Sequence, residues 1–190
     1  MLRLCLVGAF TLGLGLSQGA SAAVWHMRPA QSSINITAIQ QGGDFGAQFK
    51  AFSAEINFDP ADLAHSSVIA TIDMASWNSN STDRDNPKDG APSELWFNVP
   101  KFPVARFATK SFRDLGGGKY EAVADLTIRD VTKQVTLPFT LKIDGNVAHM
   151  TGSLTVQRGD FGVGQGGWAS SDWVGQPVKI AIDLVADKTN

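Results

Sequence analysis

The sequence predicts an all-β protein, folded as a single extended antiparallel barrel of about eight strands. Three observations support this prediction. Apolar and polar residues alternate in one segment after another, and residues typical of tight turns separate these segments. No amphipathic helix of ordinary length lies between the segments. Because parallel strands tend to be apolar on both faces, a single apolar face favours antiparallel pairing.

Eight segments show the alternation. The turn-forming stretches 59–62, 115–118 and 144–146 separate several of them. Phe49 and Phe52 differ in phase by one residue, which predicts a bulge between them, near Ala51. Pro138 cannot donate to a ladder and marks a sheet edge or a second bulge. The inward-facing residues are, in chain order, Ile34, Ile36 and Ala38; Phe52, Ala54, Ile56 and Phe58; Val68, Ala70, Ile72 and Met74; Phe107 and Phe112; Tyr120, Ala122, Ala124, Leu126 and Ile128; Val135, Leu137, Phe139, Leu141 and Ile143; Ala148, Met150, Leu154 and Val156; and Val178, Ile180, Ile182, Leu184 and Ala186.

One stretch breaks this pattern. From Ser76 to Lys101 the chain is first polar and then aromatic. Ser93 has a side chain suited to capping a short helix over residues 95–97. We therefore expect a short helical insert near residues 79–97, lying across one mouth of the barrel.

The composition fits one globular domain. The chain has 190 residues, of which 43% are hydrophobic and 18% charged, so it can bury a core and is not disordered. The formal net charge of −2, with mixed signs, argues against sequence-independent binding of nucleic acid. No apolar run is long enough to span a bilayer comfortably, which argues against an integral membrane protein once the N-terminus is cleaved.

The N-terminus has the features of an export signal. A basic start at 1–3 precedes an apolar run at 4–16, and the small residues at 20–22 match a signal-peptidase site. We expect residues 1–22 to be a signal peptide cleaved after Ala22, which leaves 23–190 as one domain in the periplasm. Several glycines argue against the alternative, a buried N-terminal helix.

The only cysteine, Cys5, lies inside this apolar run rather than at the cleavage point. Lipid attachment at the cleavage site is therefore not expected. The mature chain would have no disulfide, no cysteine metal ligand and no cysteine nucleophile. This composition suits a bacterial periplasmic or secreted protein.

The sequence offers no catalytic or metal-binding constellation. The histidines His26, His65 and His149 lie on separate segments without a metal-ligand spacing. No G-x-S-x-G elbow is present, and the patterning brings no Ser, His and Asp together. We therefore predict neither an enzyme nor a metal site.

Two further motifs are interpreted structurally. Arg84 between Asp83 and Asp85 favours an ion-pair network over an acid/base dyad. The stretch 162–167 matches G-x-G-x-x-G, but no helix is predicted after it and no βαβ unit around it, so we interpret it as a flexible loop. The tryptophans that follow it would form a movable apolar lip or plug the barrel end.

The order and spacing of several motifs resemble one known family. The chain is similar to the YceI family of periplasmic, lipocalin-like polyisoprenoid-binding proteins over nearly all of residues 24–186. No single motif is decisive, but their order and spacing together are specific. The motifs that carry the resemblance are Phe58-Asp59-Pro60-Ala61, Ile72-Asp73-Met74-Ala75-Ser76, Asp83-Arg84-Asp85, Leu95-Trp96-Phe97, Phe102-Pro103-Val104-Ala105-Arg106-Phe107, Tyr120, Leu126-Thr127-Ile128-Arg129-Asp130-Val131-Thr132-Lys133 and Arg158-Gly159-Asp160-Phe161-Gly162-Val163-Gly164.

The resemblance implies a barrel with a long apolar tunnel that holds an isoprenoid chain, such as a quinone or a polyprenyl tail. It also implies transport, storage or sequestration rather than catalysis, with no cofactor beyond this ligand. Patterning alone leaves a filled or a hollow barrel open, and the resemblance favours the hollow one. Arg28 and Gln31 stand where relatives often have Asp and His, so no head-group contact is transferred from that motif.

The apolar candidates for lipid contact fall into walls and a lid, and ordinary core packing is the alternative for each of them. The wall candidates are Ile36, Phe49, Phe52, Ile56, Ile72, Met74, Phe107, Leu126, Ile128, Leu137 and Phe139, and the lid candidates are Trp96, Phe97, Phe161, Trp168 and Trp173.

Two other functions stay open at this point. The first is a solid-cored barrel that serves as an accessory subunit of a membrane complex; the resemblance points to a cytochrome b561-type electron-transfer protein as the partner. The second is a hydrolase or isomerase, which the missing base and nucleophile disfavour. A homodimer through an edge strand such as that of Pro138 is compatible with the sequence but not required by it.

Overall fold

A computed structural model describes residues 22–189, and over this range the fold is all-β, as predicted. The signal-peptide prediction lies almost wholly outside the described residues. The eleven strands are β1 Val24–Met27, β2 Ser33–Gln40, β3 Gly43–Phe49, β4 Phe52–Asn57, β5 Ser67–Asp73, β6 Trp77–Asn78, β7 Val104–Gly116, β8 Lys119–Ile128, β9 Val131–Asp144, β10 Val147–Gln157 and β11 Val174–Lys188.

Eight of these strands close into an antiparallel barrel. The ring runs β1-β4-β5-β7-β8-β9-β10-β11 and back to β1, because the short β1 pairs with both β4 and β11. The closed ring of eight strands confirms the predicted fold class.

The long strand β11 pairs with β10 along one side and with two strands, β1 and β2, along the other. Its C-terminal residues pair with β1, and residues from Val174 to Asp183 pair with β2. Strand β2 then pairs with β3, whose end pairs with the two-residue β6. The wall therefore extends beyond the ring at the end of the barrel where β11 begins.

The predicted bulge near Ala51 is instead a break between two strands. Strand β3 ends at Phe49 and β4 begins at Phe52, and the two strands do not pair with each other. The backbone groups at the break bond to the β5–β6 connection: Lys50 N–H donates to the Ser76 carbonyl, and Asp73 N–H donates to the Ala51 carbonyl. Because Phe49 and Phe52 belong to different strands, both can face inward although they are three residues apart.

Pro138 lies where one ladder stops. The β9–β10 register ends at Phe139 and Gly152, whereas β8–β9 pairing continues to Val131. Because proline has no N–H to donate, the separation of β9 from β10 begins at this residue. Of the edge or bulge expected at Pro138, the structure shows a local edge: β9 lies inside the ring, but its residues before Phe139 do not pair with β10.

The predicted helix near residues 79–97 is wrong: this insert is a series of turns. Individual hydrogen bonds have helical spacing, for example from Asp85 N–H to the Ser81 carbonyl and from Gly90 N–H to the Asn86 carbonyl. They do not run on into a helix, since Pro87 and Pro92 lack the N–H that an α-helix interior needs. In the described range, helical geometry occurs only in five short 3-10 turns, at Pro29–Gln31, Leu63–His65, Met74–Ser76, Arg158–Phe161 and Gly166–Trp168.

The barrel end opposite the insert is closed by aromatic packing. Phe58 lies at the centre, with ring centroids 5.1 Å from Phe112 and 5.8 Å from Tyr120. Tyr120 stacks on Phe139 at 5.4 Å. Trp25 covers this group and donates its indole N–H to the Phe58 carbonyl at 2.9 Å. No helix in residues 22–189 is long and apolar enough to cross a membrane.

Candidate ligand cavity

The upper part of the barrel, next to the insert, encloses a cavity of about 440 Å³. This volume lies within the range of pockets that hold small-molecule ligands. All the strands from β2 to β11 contribute to its walls, and the insert and the loop after β10 cover its mouth. The inward half of each alternating strand makes these walls almost entirely apolar.

Most of the residues named from the sequence meet around this cavity. The thirteen that line it are Ile36, Phe49, Phe52, Ile72, Met74, Trp96, Phe97, Phe107, Leu126, Ile128, Leu137, Phe161 and Trp168.

Three of the named residues lie elsewhere. Ile56 and Phe139 face the aromatic group at the opposite end, around a second cavity of about 80 Å³. Trp173 is 57% exposed, and its ring does not line the cavity. Its backbone carbonyl accepts a hydrogen bond from Gln41 N–H. Placing Trp173 in the lid was therefore wrong.

A neck separates the two cavities. The five side chains that line both of them are Val68, Phe107, Leu137, Met150 and Leu184. They come from five different strands and together form a ring inside the barrel. The neck therefore lies between the larger cavity and the aromatic group at the opposite end of the barrel.

Sequence reasoning missed the polar residues of the mouth. The charged residues that line the cavity are Asp83, Arg84, Asp89 and Arg158. The Asp-Arg-Asp motif is visible in the sequence, but the sequence does not show that it lies near the cavity, because that depends on how the insert folds over the barrel. Arg158 lies just after β10, outside the alternating segments, so the alternation does not predict which way its side chain points.

Arg158 is 4% exposed and has no carboxylate partner among the residues that the structure describes. Its guanidinium donates to the backbone carbonyls of Val163, Gly164, Trp168, Ser170, Val174 and Gly175, at 2.7 to 3.3 Å. Burial lowers its pKa from the usual value. The guanidinium carbon also lies 5.4 Å from the Trp96 ring centroid. Arg158 therefore holds the loop after β10 in a fixed course beside the cavity.

Arg84 belongs to the insert and reaches toward the end of β2. Its Nη1 donates to Gln40 Oε1 at 3.1 Å, and its guanidinium carbon lies 4.8 Å from the Phe45 ring centroid. Its Nε–H is buried without a hydrogen-bond acceptor. Gln40 and Phe45 also line the cavity, so this group forms part of the polar rim.

Asp85, next in sequence, faces the insert instead. Partial burial acts to raise its pKa, but hydrogen bonds from the hydroxyl and N–H of Ser79 and from Ser81 N–H act against it, and the net pKa is lowered. The Trp77 indole N–H also acts to lower this pKa, although it does not reach ordinary hydrogen-bond geometry with the carboxylate. Asp85 therefore stabilises the start of the insert as an anion.

Two loops are joined over the mouth. The Leu95 carbonyl of the insert accepts hydrogen bonds from Gly164 N–H at 2.9 Å and Gln165 N–H at 2.7 Å. Arg129 donates to the carbonyls of Trp96 and Gly162 and so bonds to both loops. The insert and the loop after β10 thus form one cover.

The histidines lie away from the cavity. His65 pairs with Asp62 at 2.8 Å and His149 with Asp183 at 2.7 Å, both in exposed positions. Across residues 22–189 no group of three or more His, Cys, Asp or Glu side chains is arranged to hold a metal ion.

The family comparison agrees with this geometry. The model of the YceI-like domain matches residues 25–186. The chain belongs to the YceI-like domain family. Among curated proteins, a UPF0312 protein of Shewanella denitrificans is 30% identical over 189 residues, covering 96% of this chain and 94% of that protein. A UPF0312 protein of Vibrio parahaemolyticus is 29% identical over 161 residues, covering 80% and 84% of the two chains.

Several solved structures are similar to this chain. BcnA of Burkholderia cenocepacia is 31% identical, with a TM-score of 0.79 over 84% of this chain and 98% of that one. The YceI protein of Campylobacter jejuni is 25% identical, with a TM-score of 0.63 over 76% and 85% of the chains. A polyisoprenoid-binding domain from Saccharophagus degradans is 14% identical, with a TM-score of 0.69 over 88% and 99%. This last similarity is one of fold.

Proposed function

We propose that this protein is a binding protein, rather than an enzyme, that holds the tail of an isoprenoid-type lipid in its barrel. The observation that carries the proposal is the 440 Å³ cavity with its almost wholly apolar walls. Burial of apolar surface contributes about 25 cal/mol per Å², so a long tail is bound without specific polar contacts along it. The fold shared with the polyisoprenoid-binding domain of Saccharophagus degradans supports this ligand class.

The proposal includes the cellular setting. An N-terminal segment with the features of an export signal supports a periplasmic location. In that compartment a lipid tail must be shielded from water between membranes. A barrel that covers the tail would transport, store or sequester the lipid.

Mass spectrometry of an organic extract tests the proposal. The protein is isolated from the periplasm without detergent, extracted, and its lipid quantified against protein. We expect an isoprenoid lipid in amounts comparable to the protein. An extract without lipid, from a protein that also fails to bind an added isoprenoid quinone, would reject the proposal.

Two double variants, one that fills the cavity and one on the opposite face of the same strands, test whether the lipid lies in the cavity. Ala54 and Ala70 pair across β4 and β5 and both line the cavity. Leucine at both positions should reduce the extracted lipid several-fold, because the side chains occupy its space. Valine at Ser53 and Thr71, the next cross-strand pair on the opposite face of these strands, should leave the lipid unchanged.

A further inference from the structure

Three exposed apolar side chains border the loop that follows β10, at the mouth of the cavity. Trp173 is 57% exposed, Leu95 43% and Ile39 39%. Leu95 belongs to the insert, and its side chain lies 4.0 Å from where a Cβ on Gly166 would be. The Cβ of Ile39 lies 3.3 Å from where a Cβ on Gly175 would be, two residues after Trp173. The three side chains therefore surround one loop.

The loop between these side chains is exposed and almost without charge. Residues 165–167 and 169–173 are exposed, and Asp172 is the only charged residue between 161 and 177. The end of β2 and its turn into β3, residues 38–43, contain no charged residue. Because charged groups are costly to remove from water and small uncharged residues are less so, this surface can leave water at a modest cost.

Each of the three apolar side chains has an exposed acidic residue beside it. These neighbours are Asp172 before Trp173, Glu94 before Leu95, and Asp44 opposite Ile39 in the β2–β3 ladder. Within the described part of the chain, none of the three carboxylates takes part in an ion pair. Their charge disfavours contact with an anionic surface and favours one that presents cationic groups.

The loop also connects this surface to the cavity. Trp168 lies in the same loop and lines the cavity, with its ring centroid 5.6 Å from that of Trp96, which lines the cavity too. Tryptophan is favoured at the boundary between lipid tails and headgroups, because its ring is apolar and its N–H is polar. Peptide partners are recognised by grooves or sheet edges, and a run of exposed small residues is neither. These features favour a lipid surface over a protein.

We propose that the barrel docks with its mouth on a zwitterionic bilayer. Trp173, Ile39 and Leu95 enter the headgroup region, and the three acids meet the ammonium groups of aminophospholipids. The same acids disfavour anionic lipid. This inference goes beyond the proposed function, because it assigns the surface that meets a membrane and holds whichever lipid occupies the cavity.

Vesicle flotation tests this docking surface with the protein isolated from the periplasm. One set of vesicles contains phosphatidylethanolamine and phosphatidylcholine in equal amounts, and in a second set phosphatidylglycerol replaces the phosphatidylethanolamine; neither contains an isoprenoid. We expect binding to the first set and several-fold weaker binding to the second. Trp173→Ala should weaken binding to the first set roughly tenfold, since a large apolar side chain no longer leaves water. Trp173→Phe should retain most of the binding.

Matched variants identify the surface and its charge preference. Ile39→Ala should weaken vesicle binding, whereas Ile143→Ala should not, although this isoleucine is 38% exposed, because it lies at the opposite end of the barrel. The triple variant Asp44→Asn, Glu94→Gln and Asp172→Asn should bind the phosphatidylglycerol vesicles several-fold more strongly than the unmodified protein does.

The outcomes separate docking from lipid binding in the cavity. Leucine at both Ala54 and Ala70 fills the cavity and should leave vesicle binding unchanged; its loss would show that phospholipid tails enter the cavity and would overturn the docking surface. Equal binding of Trp173→Ala and the unmodified protein, or a preference for phosphatidylglycerol, would overturn it as well. An unmodified protein that floats with neither vesicle set would also overturn it and leave a protein partner as the occupant. Docking through Trp173 by a protein whose extract contains no isoprenoid would support this inference and reject only the proposed function.

Discussion

At the scale of single residues, the mouth depends on side chains that bond to distant backbone. Arg158 donates to carbonyls between Val163 and Gly175, and Arg129 donates to carbonyls near residue 95 and at Gly162. Neither arginine has an acidic partner whose position along the chain would reveal the contact. The sequence showed the apolar walls because strand alternation marks them, but a bond to a carbonyl has no signature in residue types.

The ionisation of Asp85 makes the insert sensitive to acid. Because its pKa is lowered in the folded state, the anion stabilises the fold at pH values above the ordinary aspartate pKa of about 3.9. This contribution is lost as the pH falls through the folded-state pKa. Denaturant unfolding measured between roughly pH 2 and pH 5 should therefore show a smaller acid-dependent loss of stability for Asp85→Asn than for the unmodified protein.

The asparagine variant should also be less stable at neutral pH, since the N–H and hydroxyl of Ser79 lose a charged acceptor. Asp130→Asn, at an exposed turn between β8 and β9, is the matched control and should leave the acid dependence unchanged. An identical acid dependence in Asp85→Asn and the unmodified protein would contradict this role for Asp85.

At the scale of elements, the insert keeps its shape through turns that pack closely on each other. A Cβ on Gly90 would lie 2.4 Å from the Arg84 carbonyl oxygen and 2.6 Å from that of Asp83. The neighbouring Ala91 N–H donates to this same Arg84 carbonyl at 2.8 Å. The backbone that positions the rim therefore depends on the absence of a side chain at residue 90.

Gly90→Ala should destabilise the protein by roughly 1–3 kcal/mol, because backbone rather than a flexible side chain would have to move. It should also weaken ligand binding in the cavity, because the backbone of Asp83 and Arg84, which line the cavity, would shift. Chemical denaturation and ligand titration measure both effects. Gly167→Ala, where an added Cβ meets nothing within 4 Å, is the matched control, and equal stability of the two variants would count against a tightly packed insert.

Where β9 and β10 no longer pair, a side chain rather than backbone hydrogen bonds fills the space between them. Phe161 is 2% exposed and forms a cluster with Leu126 and Val163, against Val135 of β9 and Val156 of β10. The 3-10 turn that carries it follows directly on β10. A phenylalanine thus occupies the gap that begins at Pro138, and the same ring lines the cavity.

At the scale of the whole molecule, the barrel is hollow at one end and packed at the other. The alternation of apolar residues predicted β2 and seven of the eight strands that form the ring, because one buried face per strand is a local property of the sequence. It did not predict β1, which completes the ring, nor β3 and β6. Strands β1 and β6 are very short, and β3 begins with Gly43 and has Gly46 between its apolar residues. Whether the interior is filled depends on the sizes of side chains that meet across the barrel, which alternation does not report.

The neck between the cavities should limit the length of the bound tail. Phe107 lines both cavities, and its replacement by alanine would join them. We expect Phe107→Ala to bind longer isoprenoid tails relative to shorter ones than the unmodified protein does. Competition among quinones of graded tail length measures this shift.

Without bound ligand, the Phe107→Ala variant should be less stable than the unmodified protein by about 3–5 kcal/mol, as for other large-to-small changes in a core. Part of this loss should be recovered when a long tail fills the space. Phe102→Ala, which removes a ring that does not line either cavity, is the control. An unchanged preference among tail lengths would show that the neck does not set the depth of binding.

The cavity also gives the empty and loaded forms different responses to hydrostatic pressure. Unfolding of an empty barrel eliminates any part of the cavity that water does not fill, whereas in the loaded barrel a ligand already occupies that space. Pressure favours the state of smaller volume, so it acts more strongly against the empty form. The pressure at which the protein unfolds is therefore a measure of occupancy that requires neither a label nor knowledge of the ligand.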